Sequence, residues 1–65
     1  MSKTGIPCKL SGTDGNAFGI IGRVIRALRT GGDDAKALIE PFKEEAMSGD
    51  YDHVIQTAME YVEIF

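Results

Sequence analysis

The sequence predicts a mainly α domain: three short helices, with the N- and C-terminal segments as partners for a short two-stranded sheet. Three observations carry this. Apolar residues recur at helical spacing in three blocks. Each block opens on an Asp or Asn able to cap a helix, and the first two close on glycine. The two ends, "GIPCKL" and "YVEIF", read as extended rather than helical.

"GIPCKL" (5–10) is a short strand candidate, and Pro7 confines it to a sheet edge because proline has no N–H to donate. "SGTDG" is a turn by composition. The first helix starts at Asp14 or Asn16, carries Phe18, Ile21, Ile25 and Leu28 as its core-facing stripe, and stops at Gly31-Gly32. The second starts at Asp33 or Asp34, with Ala35, Leu38, Ile39, Phe42 and Ala46 as its apolar face. Pro41 falls inside that pattern, which predicts a kink or break at Glu40, and Gly49 reads as a left-handed stop. In the third, Asp50 caps and Tyr51, Val54, Ile55, Ala58, Met59 and Val62 form the stripe. Alternation of Val62 and Ile64 around Glu63 favours a strand at the end, pairing with "PCKL".

Sixty-five residues make a single domain (1–65, with 1–5 expected to be flexible) that buries only ~60% of its unfolded surface. Domains this small usually need a staple. Cys8 is the sole cysteine, so an internal disulfide is excluded, and one Cys with one His cannot complete a structural zinc site. Self-association is the remaining staple, and a homo-oligomer is expected. No apolar run approaches a membrane span, and no signal peptide is visible, so the expected location is the cytoplasm.

The net charge of −3 is unevenly spread: residues 1–32 carry +4 and residues 33–65 carry −7. That asymmetry suggests self-complementary association or a local anion site on a repelling body, and argues against general nucleic-acid binding.

The first helix holds the feature that invites a function. On a helical wheel Gly19, Gly22, Arg23 and Arg26 fall together within about 100°. Each interior glycine costs about 1 kcal/mol relative to alanine, so a compensating close approach is expected, by a ligand or by another helix. As an anion site, Asp14, Gly15 and Asn16 would supply the helix start, Arg23 and Arg26 would neutralise phosphate, and Asp50, Tyr51 or His53 would frame the ligand. As a helix crossing, the arginines would be solvated or paired with a neighbour's acids. "GTDGNAFG" matches neither the P-loop nor the dinucleotide fingerprint.

"SGDYDH" (48–53) gathers Asp50, Asp52 and His53, but both acids suit a helix start, and a calcium loop would require a glutamate where Tyr61 stands. No metal or cofactor is expected. With one His, one Cys and no paired carboxylates at telling spacing, the chain reads as a non-enzyme.

"DGNAF" with "IIGRVIRALR", followed by "SGDYDHVIQTAMEYV", resembles a family of very small proteins carried by phages and other mobile elements, for which no activity is established. The likeness spans roughly residues 9–64 and departs at Pro41. It implies a setting, the host cytoplasm, and by analogy sequestration of a host protein or of a nucleotide signal of host defence. The favoured expectation is therefore an oligomeric, non-enzymatic binder of a phosphate-bearing ligand. The alternative is an interaction module that inhibits a host protein through the acidic surface of the second and third helices (Glu44, Glu45, Asp50, Asp52, Glu60). Binding of nucleic acid through Arg23, Arg26 and Arg29 is the weakest reading.

Overall fold

The computed structural model describes residues 2–10 and 17–65. In chain order the elements are β1 (Pro7–Cys8), α1 (Ala17–Thr30), α2 (Asp33–Lys36), α3 (Ile39–Ala46), α4 (Tyr51–Tyr61) and β2 (Glu63–Ile64). The fold is mainly helical, with the second helical block in two pieces. The terminal segments form a two-stranded parallel sheet with Pro7 opposite Glu63 and Cys8 opposite Ile64.

Parallel pairing requires a long crossover, and the whole helical body supplies it. The ladder runs past the strands proper. Glu63 N–H donates to Ile6 C=O at 2.8 Å, Phe65 N–H to Cys8 C=O at 3.1 Å, and Leu10 N–H to Phe65 C=O at 3.0 Å. Strand alternation then turns the peptide groups of Pro7 and Lys9 to the far edge of β1, and those of Ile64 to the far edge of β2.

Residues 2–5, expected to be flexible, are tied to the end of α4 instead. Lys3 N–H donates to Glu60 C=O (2.7 Å), and Thr4 gives Tyr61 C=O both its N–H (3.3 Å) and its hydroxyl (2.6 Å). These bonds satisfy carbonyls that the last turn of a helix leaves without partners. Ser2 N–H also donates to the Glu63 carboxylate at 2.7 Å, and hydrogen bonding by Ser2, through its side chain first and its backbone second, holds that carboxyl below its usual range.

The core is built from Ile20, Ile21, Val24 and Leu28 of α1, Phe42 and Ala46 of α3, Val54, Ala58 and Tyr61 of α4, and Val62, with Cys8 and Ala35 at its margins. Phe42 is fully buried and meets the Tyr61 ring edge-on, centroids 5.4 Å apart. Lys3 Nζ lies over the other ring's face, 4.7 Å from the Tyr61 centroid.

Two expected stripes are rotated. The α1 face turned to the core is centred on Ile20, Ile21, Val24 and Leu28, roughly 60° around the helix from the expected one. Phe18 is 71% exposed, and Ile25 only half-buried. This helix has more apolar residues than one stripe holds, and packing against β1 on one side and α4 on the other selects among them. On α4 the buried face is Val54, Thr57, Ala58 and Tyr61, while Tyr51 and Met59 face outward. Thr57 sits in that face at 1% exposure, a position its hydroxyl hides from a hydropathy pattern.

The break in the second block lies at Ala37–Leu38, not at Glu40. Proline clashes with the carbonyl four residues back, here that of Ala37, and is tolerated in a first helical turn. Pro41 therefore sits in the opening turn of α3, and the chain reorganises upstream of it.

The glycines that end helices divide by cause. Gly32 has φ +99°, as expected of a stop after α1. A Cβ on Gly31 would run into Ile6 Cδ1 and Ala35 Cβ, so Gly31 is required by close approach. Gly49 is not left-handed. A Cβ there would meet the His53 side chain at 2.8 Å, so its role is to admit that ring.

Removing the aromatic centre tests the packing account. Phe42→Ala is expected to cost ~3–5 kcal/mol, about the whole stability of a domain this size, and to abolish the cooperative melt followed by circular dichroism.

Candidate functional site

The expected glycine–arginine face exists and is open. Gly19, Gly22, Arg23 and Arg26 are all exposed, and Arg26 lies opposite the buried face of α1. They form one wall of a surface groove of about 660 Å³, with Ala27 and Thr30 further along the helix. The facing wall is β1 and its continuation: Pro7, Cys8 and Lys9. A Cβ built on Gly22 meets nothing within 4 Å, so within the monomer nothing lies against the helix there.

Arg23 spans the groove, its guanidinium donating to the Lys9 carbonyl at 3.4 Å. That contact agrees with the strand alternation, which turns the Lys9 N–H to the same side. The Thr30 hydroxyl is engaged by the Ala27 carbonyl at 2.9 Å. Among the described residues the one ion pair is Lys43–Glu40 on α3, and neither Arg23 nor Arg26 has a carboxylate partner among them. Among the described residues no Asp or Glu lines the groove. It is a cationic concavity on an acidic protein, lined by Lys9, Arg23 and Arg26.

Cys8 forms part of the β1 wall but is 5% exposed. Burial pushes its thiol above the ordinary value, and the nearby Arg23 charge offsets this only in part. A raised pKa leaves little thiolate at neutral pH, the opposite of what a nucleophile needs.

The remaining expected site residues lie elsewhere. Asp50 caps α4 by accepting the His53 N–H at 3.0 Å, as expected. His53 Nε2 is 2.8 Å from the Glu45 carbonyl, to which it donates in its Nε2–H tautomer, with the Ser48 hydroxyl 3.2 Å away. It joins the end of α3 to the start of α4 and does not frame the cationic groove. Tyr51, 44% exposed, borders a separate apolar hollow of about 330 Å³ with Phe18, Ile21, Met47 and Val54. Neither tyrosine stands beside Arg26, since Tyr61 is buried against Phe42. Asp14, Gly15 and Asn16 lie outside the described residues.

Lys9 and Thr30 were not among the expected site residues. Lys9 is 14 residues from Arg23, and only the β1–β2 pairing brings it to the helix. Thr30 stands one turn beyond Arg26, a signal the helical wheel did contain.

Compared with known protein families, curated proteins and solved structures, the chain matches none.

Two outcomes follow from this geometry. Gly22→Ala is expected to raise the melting temperature by several degrees, the reflection of ~1 kcal/mol of helix propensity, whereas Gly31→Ala lowers it; thermal denaturation of both reads the opposite signs. Cys8 is expected to react slowly with iodoacetamide at pH 8 when folded and at the rate of a free thiol in denaturant. Its raised folded-state pKa also implies stability present below the unfolded thiol's pKa and lost as pH rises through the folded value.

Proposed function

We propose that this chain is a non-enzymatic binding protein that holds a phosphate-bearing ligand of the nucleotide class in the groove between β1 and α1. One observation carries the reading. Lys9, Arg23 and Arg26 line a solvent-open groove with no carboxylate among the described residues of its lining, beside helix backbone that Gly22 leaves bare. Guanidinium forks suit phosphate oxygens, and an acidic body around a local cationic site discourages long polyanions, so extended nucleic acid is a poor fit. The absence of a low-pKa thiol or a free histidine beside the groove favours holding over turnover.

With it goes the expectation drawn from the resemblance of the motifs to the mobile-element family, that the chain acts in the host cytoplasm by sequestering a nucleotide signal. It also includes self-association: Met59 and Phe65, 55% and 66% exposed, flank β2, and burying them would stabilise a small domain. Among the described residues no helix is long and apolar enough to cross a membrane. The alternative, docking to a host protein through acids, draws on the exposure of Glu44, Asp52 and Glu60, none of which is in an ion pair among the described residues.

A thermal-shift panel of nucleoside mono- and triphosphates and cyclic dinucleotides decides between them. At least one nucleotide is expected to raise the melting temperature, as any native-state binder does. Arg26→Ala should weaken it tenfold or more, while reversing Glu44, Asp52 and Glu60 leaves it unchanged. No shift at millimolar ligand would count against the reading; loss of a captured host partner on reversing the acids would favour the alternative.

A further inference from the structure

The groove and the pairing of the chain ends meet at one peptide group, the one between Lys9 and Leu10. Its carbonyl accepts from the Arg23 guanidinium at 3.4 Å, and its amide hydrogen goes the opposite way, to the Phe65 carbonyl at 3.0 Å. Arg23, this peptide and Phe65 thus form a relay in which each hydrogen bond polarises the next. Burial raises the Cys8 thiol and the Arg23 charge partly opposes it, which sets that charge beside the β1 wall as the bond to Lys9 does. Among the described residues Arg26 holds no bond of this kind to β1.

A guanidinium carries five donors in one plane. One N–H on Nη1 holds the Lys9 carbonyl, and the other four share the plane that this bond helps to set, in a residue that lines the groove. Ordering a long side chain before its ligand arrives removes part of the cost of binding. The tie also acts in reverse. An anion that fixes the guanidinium steadies the Lys9–Leu10 peptide and the rung behind it, because coupling between two sites is reciprocal.

Resting on the reading of the groove as a phosphate site, we infer that Arg23 is a positioning residue through which phosphate bound in the groove tightens the ladder between the chain ends.

Hydrogen exchange at single amides and calorimetric affinity, both on the full chain with adenosine triphosphate and a cyclic dinucleotide as probes, test this. In the free protein Arg23→Lys is expected to speed exchange at the Leu10 amide relative to that of Ala58 in α4, and Arg26→Ala to leave that ratio unchanged. Binding is expected to slow Leu10 more than Ala58, an excess that stabilisation against global unfolding does not give, since it slows both alike. In Arg23→Lys the excess disappears and affinity falls about tenfold although the charge is kept, because an ammonium has no planar fork. Equal slowing at the two amides, faster exchange at Leu10 on binding, or an Arg23→Lys chain that matches the native one in either measurement overturns the inference and leaves the phosphate site standing. Binding of neither probe, or binding that Arg26→Ala does not change, overturns both.

Discussion

The structure depends on the clasp between the two ends of the chain. Lys3 and Thr4 satisfy the last carbonyls of α4, and three further backbone bonds align residues 6–10 with 63–65. Closing a loop of more than fifty residues carries an entropic cost that grows only slowly with its length, and a ladder with a helix cap attached can offset it. Without the clasp, Tyr61 would lose Lys3, Cys8 would leave the core margin, and β1 would no longer stand opposite α1. The groove is thus a product of the fold's longest-range contact, although its charge comes largely from one helix.

Helical packing then decides what the clasp encloses. The apolar sets of α1 and α4 are each wider than the surface available to bury them, so their neighbours choose which residues go inside. The choice is visible in Phe18 and Met59, left at the surface, and in Thr57, taken inside. The Pro41 effect is of the same kind: the local rule was right about a break, but steric conflict acts on the preceding turn, so the chain yields at Ala37–Leu38.

These cases show how far the sequence could be read. Helix existence, the Asp50 cap, the stop at Gly32, the edge character of Pro7 and a terminal sheet were legible because each rests on local chemistry. The rotation of the helices was not, because it is set by partners distant in sequence. The site divides in the same way. Gly19, Gly22, Arg23 and Arg26 share a face by helical geometry alone, so their grouping could be read directly. Lys9 could not, since it reaches them through the pairing of strands 56 residues apart in sequence. Asp50, Tyr51 and His53 made a suggestive cluster by adjacency, yet His53 is spent joining α3 to α4 and Tyr51 turns to a different hollow.

Pro7 sits with its ring on the outer side of β1, where a neighbouring strand would look for an amide hydrogen and find none, and Arg23 already occupies the next carbonyl along. The opposite rim, at Ile64, has no such obstruction. Of the two rims, the one at Ile64 is therefore the better disposed to accept a further strand, and the one at Pro7 offers a neighbour a broken ladder.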